Sequence, residues 1–220
     1  MIGEILDIVS RTILISLSSL ALCSLWSIPS SVLISMRDFK GKRTLLTITS
    51  SLVAIPTVTI GLILYMLLSR SGPFGYFDLL FTPFAIVIGE AIFLTPYLIT
   101  FLSTSLMALG KEIKELAITL GASARQADLK VLQEGINVVL YSLAATFSRG
   151  IGELGIALMV GGNLKGFTRV LTTAIALETF KGEFELGLVL SLILILITLS
   201  INFLIIFKGY KGGELFGKSI

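Results

Sequence analysis

The sequence has no histidine, a single cysteine and few charges. Without histidine, and with only Cys23 as a thiol, a zinc or haem site lacks its usual ligands. Cys23 also lies inside an apolar run, where it has no partner for an internal disulfide. Charged residues make up 14% of the chain, against roughly 25% in an ordinary soluble domain. No soluble-looking stretch is long enough to form a separate domain. The net charge of +3 is small. It comes from Lys and Arg clusters between apolar runs, so it carries topology information and is no nucleic-acid footprint.

Apolar residues fill that space: 55% of the chain, with a mean hydropathy of +0.98. A helix needs about 20 predominantly apolar residues to cross the hydrocarbon core. Five runs qualify, at about 13–34, 45–68, 80–102, 136–160 and 184–207. The alternating segments of a membrane barrel are absent, so the runs predict helices. Pro56 and Pro96 fall inside the second and third runs and predict kinks. Glu4 and Asp7 precede the first run, which is the wrong charge for a signal peptide, and the run is too long for one.

The connecting charges orient the spans. Arg37, Lys40, Lys42 and Arg43 crowd the first loop; Lys111, Lys114, Arg125 and Lys130 lie in the third; Lys208, Lys211 and Lys218 follow the last run. The other connections are poorer in basic residues. The positive-inside rule then predicts an all-α integral membrane protein of five transmembrane helices, N-terminus outside and C-terminus cytoplasmic. The fourth loop is external, and its short apolar stretch Val170–Leu177 suits a helix dipping into the outer mouth.

The third loop is the most patterned. Ile113, Leu116, Ala117 and Leu120 form a helical stripe with charges opposite, Gly121 interrupts it, and a second helical stretch follows with Leu129, Val131 and Leu132. Helix, bend and helix make either a solvated loop or a lever for a partner. Glu115-Leu116-Ala117 with Gly121 six residues after the glutamate resembles the EAA motif of ABC importer permeases. Leu116 departs from the motif's middle alanine, and the Leu-Pro of its later part is missing. Ala122 also fits family usage.

Phe147-Ser148-Arg149-Gly150-Ile151-Gly152-Glu153-Leu154-Gly155 and Val160-Gly161-Gly162-Asn163 are similar to the fourth-span region of oxyanion-type ABC permeases, the molybdate, tungstate and sulfate importers. Gly166 to Thr179 resembles the tungstate branch most closely. The resemblance implies a type I ABC importer permease fold with a coupling loop at 111–132, a homodimer, two cytoplasmic ABC ATPase subunits and an external substrate-binding protein. In that family the segment containing Glu115, Leu116, Ala117, Gly121 and Ala122 docks on the ATPase. ATP would be used by the ATPase, and no cofactor is expected on this chain. The implied location is the plasma membrane, a bacterial inner or archaeal cell membrane. Alternatives are a permease for molybdate, sulfate or another small solute, an intramembrane enzyme, and a structural membrane partner. An enzyme finds only the acid pair Glu90 and Glu153, with no nucleophile–base set.

An ionisable group inside a span costs at least a few kcal/mol and normally faces a partner or a water-filled cavity. Arg149 and Glu153 stand i, i+4 in the fourth span. They form either a structural ion pair or an element of an anion path. Glu90 in the third span lies at a similar depth, so Arg149 has two candidate carboxylate partners. Gly150, Gly152 and Gly155 suit close helix packing. Outside, the Gly161-Gly162-Asn163 backbone, the Thr172 and Thr173 hydroxyls, Lys165 and Arg169 are candidate anion contacts, or merely a solvated face. Two motifs are refused for want of a strand–helix context: the Walker A match at Gly212–Ser219 and the dinucleotide match at Gly150–Gly155.

Overall fold

A computed structural model describes residues 2–212. The Walker A match at Gly212–Ser219 lies almost entirely outside them. The described residues are helical throughout their regular elements. In chain order these are α1 (Ile2–Met36), α2 (Lys42–Leu52), α3 (Thr57–Leu68), α4 (Pro83–Thr119), α5 (Ala124–Glu134), α6 (Ile136–Ile151), α7 (Gly155–Gly161), α8 (Leu171–Phe180) and α9 (Phe184–Gly212), with a short 3₁₀ turn at Gly75–Phe77.

Three helices are long and apolar enough to cross a membrane, and up to five spans result if each bent pair counts as one. The pairs are α2 with α3, bent by 89°, and α6 with α7, bent by 56°. Where one kinked helix is expected over 45–68, the chain forms an elbow. Pro56 is extended at φ −61, ψ 130 and starts α3. Proline offers no N–H to continue α2 and fits a helix's first positions.

The core is α1 against α4. On α1 the buried positions Thr12, Ser16, Ser19, Cys23, Ser27 and Ser31 recur at spacings of three and four. These small side chains let two backbones approach closely. Several return their hydroxyls to their own helix, as Thr12 does to Ile8 O at 2.7 Å and Ser31 to Ser27 O at 2.7 Å. Opposite them α4 presents Leu94, Leu98, Leu102 and Leu106, all buried. Trp26 Nε1 donates to Thr95 Oγ1 at 2.8 Å across the same seam.

α4 starts on a capped end, where Thr82 Oγ1 accepts from Ala85 N and Pro83 takes the first turn. It then runs for 37 residues. At 1.5 Å per residue that is about 55 Å, well beyond the roughly 30 Å hydrocarbon core. A single helix therefore joins the third apolar run to Lys111–Thr119. Ser103–Gly110, between the two, contains no helix breaker apart from its terminal glycine.

α3 and α7 cross tightly. A Cβ on Gly155 would lie 2.8 Å from Thr57 Oγ1 and from Val58 N, and one on Gly61 would lie 2.9 Å from Met159 Cβ. α8 is the short outer helix. Leu171 and Ala174 bury against Ile8 of α1 and Leu190 of α9. α9 leaves most of its apolar surface open, including Leu188, Leu192, Ile195, Leu196 and Leu199.

Candidate functional site

Two constructions stand out: a helix–turn–helix at one end of α4 and a broken helix beside its middle.

The helix–turn–helix begins at the end of α4. Gly121 has φ +88, a left-handed conformation open to glycine. Its N–H donates to Ile118 O at 2.9 Å, and Ala122 N donates to Ala117 O at 2.9 Å. These two bonds close a Schellman turn and satisfy the terminal carbonyls. Ser123 and Gln126 then form a capping box that starts α5. α5 folds back along α4, burying Ala127 and Val131, with Val131 lying 3.4 Å from where a Cβ on Gly110 would sit. Lys114 Nζ and Asp128 Oδ1 close the pair at 2.5 Å. The tip keeps apolar side chains in the open: Leu116 is 64% exposed and Leu120 79%, with Ile118 also exposed. Glu115 is exposed and Ala117 half-buried. The predicted stripe of Ile113, Leu116, Ala117 and Leu120 is thus not covered by this chain at its outer end.

The broken helix centres on Glu153. α6 ends at Ile151 and α7 starts at Gly155. Leu154 offers no side-chain cap to α7. Glu153 provides it: Oε1 accepts from Gly155 N at 2.7 Å and from Ile156 N at 3.4 Å. Its other oxygen, Oε2, accepts from Arg149 Nη1 at 3.4 Å. Arg149 also lies over the Phe93 ring of α4, 4.5 Å from its centroid. Glu153 is buried, while the Arg149 side chain is 42% exposed.

This arrangement corrects two expectations. Arg149 and Glu153 do not share one helix, because Glu153 sits in the break. Glu90 is not an ion-pair partner of Arg149 among the described residues. Glu90 is 3% exposed on α4, with Ser19 of α1 as its neighbour, and its Oε2 has no hydrogen-bond partner. Of the three glycines, Gly150 packs on Leu94 and Gly155 on α3, while a Cβ on Gly152 would meet nothing closer than 3.9 Å.

The outer candidates are spent on internal bonds. Thr172 Oγ1 donates to Glu153 O at 2.9 Å, which fastens α8 to the break. Thr173 Oγ1 donates to Val170 O at 3.0 Å and accepts from Val170 N at 3.1 Å. Asn163, at φ +52, accepts from Arg169 Nε through Oδ1 at 3.1 Å. Lys165 and Arg169 both face Glu4, at 3.0 and 3.8 Å. Sequence reasoning missed Phe93, one turn beyond Glu90 on the same face, and Thr168, whose hydroxyl bonds Gly161 O and Leu164 N.

No metal-holding cluster of three or more His, Cys, Asp or Glu occurs among the described residues.

Comparison with known proteins gives this architecture its place. Residues 27–208 match the family described as the binding-protein-dependent transport system inner membrane component. The chain belongs to this family. It is an ABC transporter permease of the oxyanion type and a multi-pass cell-membrane protein. The permease is 40% identical over 167 residues to the tungstate uptake system permease protein TupB of Campylobacter jejuni, covering 76% of this chain and 70% of that protein. It is 33% identical over 199 residues to TupB of Peptoclostridium acidaminophilum, covering 90% and 87%. It is also 33% identical over 203 residues to a probable anion ABC transporter permease protein of Haloferax volcanii, covering 90% and 88%. Sulfate transport permeases match at lower identity.

Proposed function

We propose that this permease is the membrane subunit of an ATP-driven importer of tungstate. Two copies would form the path, two ABC ATPase subunits would bind on the cytoplasmic side, and an external binding protein would deliver the anion. The observation that carries this reading is the end of α4: a helix continuous with the apolar core, closed by the Gly121 turn, with Leu116, Ile118 and Leu120 uncovered in a charged segment. Isolated exposed apolar residues are ordinary, but a clustered set at the tip of a projecting helix suits a partner's groove.

In this reading the five spans place the N-terminus outside and the basic loops inside. Glu115, Leu116, Ala117, Gly121 and Ala122 form the ATPase contact. ATP-driven closure of the ATPases would push the tip of α4, and α4 would carry that motion to its packing against α1. Glu90, Arg149 and Glu153 would line or hold the moving part. Asn163, Thr172 and Thr173 would act by fixing the outer loop. The names of the two TupB relatives favour tungstate as substrate. Molybdate and sulfate are the competing substrates, since tungstate and molybdate are nearly equal in size and charge.

The test is reconstitution with the cognate ATPase and binding protein. ATP hydrolysis should rise when the binding protein is loaded with tungstate, and labelled tungstate should enter the vesicles. Failure to copurify with any ABC ATPase would sink the transporter reading. Equal stimulation by sulfate would sink the tungstate assignment alone.

A further inference from the structure

α2 is an amphipathic helix whose two outer faces differ. Leu45, Ile48 and Leu52 form an exposed apolar stripe. Thr49 is buried, on the side that packs against α4. The remaining face borders an open groove of about 770 Å³, with Arg43, Thr47, Ser50 and Ser51 on one side and Met107 of α4 on the other. Within it Lys42 is engaged by Asp38 at 3.2 Å. Thr47 and Ser51 donate to carbonyls of their own helix. Arg43 makes no ion pair and Ser50 no hydrogen bond among the described residues, and they stand seven positions apart, on one helix face. The preceding loop adds Arg37 and Lys40, so four basic residues meet one acid between positions 37 and 43.

We propose that this groove holds the phosphorylated headgroup of an acidic phospholipid of the cytoplasmic leaflet. The proposal rests on the orientation given above, which puts the basic loop inside. Two observations favour a lipid over a free anion. Phe39, Leu46 and Met107 line the same groove as Arg43 and suit acyl chains, for which a free oxyanion has no use. The excess of basic residues matches the negative cytoplasmic surface. The groove also adjoins the lever. Asp38, Lys42 and Met107 are shared with a second cavity of about 350 Å³ that reaches Gly110, Lys114 and Val131. A bound headgroup would brace the base of the lever against α2.

The test uses the purified permease–ATPase complex and native mass spectrometry in the presence of phosphatidylglycerol or phosphatidylcholine. Phosphatidylglycerol should be retained in preference. Arg43→Gln should weaken that retention about fivefold, the factor expected for one basic residue at a charged surface. Lys40→Gln removes the same charge without lining the groove and should weaken retention clearly less than Arg43→Gln. Ser50→Trp keeps the charge, fills the groove, and should lower retention. Equal retention of phosphatidylcholine overturns the proposal, as does an equal loss with Lys40→Gln, which would mean a diffuse surface charge. Displacement of the lipid by millimolar inorganic phosphate or tungstate would assign the groove to a free anion. Copurification of each variant with the ATPase keeps this outcome separate from the transporter reading itself.

Discussion

Glu153 holds Arg149 with one carboxylate oxygen at 3.4 Å and the first N–H of α7, on Gly155, with the other at 2.7 Å. One side chain therefore both pairs a charge and starts a helix. The two duties separate by substitution. Glu153→Gln keeps an acceptor for Gly155 N and loses the charge; Glu153→Ala loses both. Leaving buried donors unpaired costs about 1–3 kcal/mol, so Ala should lower the unfolding midpoint of the solubilised protein well below Gln. A charge swap, Arg149→Glu with Glu153→Arg, should not rescue folding, because arginine cannot accept from Gly155 N. Full rescue by the swap would show that the cap is unimportant.

Thr172 is expected to act as a fastener. Thr172→Val removes its bond to Glu153 O, at a cost of about 1 kcal/mol, and Thr172→Ser keeps it. Unfolding midpoint and transport should fall together in Val and be largely restored in Ser. A Val variant of unchanged stability with abolished transport would instead make the hydroxyl an anion contact.

Gly121→Pro should uncouple ATP hydrolysis from import while the protein still inserts. Proline fixes φ near −65° and has no N–H, so it can supply neither φ +88 nor the bond to Ile118 O. Gly121→Asn, which tolerates the left-handed region better than other residues, should retain part of the coupling. The check is the ratio of anion imported to ATP hydrolysed, and an unchanged ratio in the proline variant counts against the lever.

Gly155 and Gly152 should differ sharply despite their proximity. Gly155→Ala forces a Cβ onto the backbone of Val58 and should destabilise by about 1–3 kcal/mol, as overpacking does. Gly152→Ala has room and should be near neutral. Equal unfolding midpoints would contradict the α3–α7 crossing.

Orientation is open to direct labelling. The only cysteine, Cys23, is fully buried and gives little background. An impermeant maleimide added to intact cells should label Tyr76→Cys and spare Lys40→Cys until the membrane is opened. The reverse pattern would invert the proposed topology.

Much of the helical frame was legible because apolar run length is a local property. α1, α4 and α9 follow from it, and Gly121 marked the turn between α4 and α5, since glycine is the residue most at ease in a left-handed cap. The break at Glu153 was not legible from charge spacing. An i, i+4 pair assumes an unbroken helix, whereas a glutamate two residues ahead of Gly155 can turn back and cap the next one. Pro56 signalled a kink but not its size, which depends on α2 lying against α4. Thr172 looked like a free hydroxyl because its acceptor is a backbone carbonyl 19 residues away. α4 looked like a span plus a separate loop helix because polarity changes at Lys111, yet backbone hydrogen bonding does not follow polarity.

The unbroken length of α4 has a mechanical consequence. Between Pro96 and Gly121 neither a proline nor a change of helix interrupts it. About 35 Å of helix, at 1.5 Å per residue, is thus unbroken and would move as one oar. Its blade lies among Leu98, Leu102 and Leu106, and its handle is the exposed tip. A stroke applied to the handle would reach the α1 seam with no joint to absorb it. Compliance would then have to reside in the neighbours, at the bends between α2 and α3 and between α6 and α7.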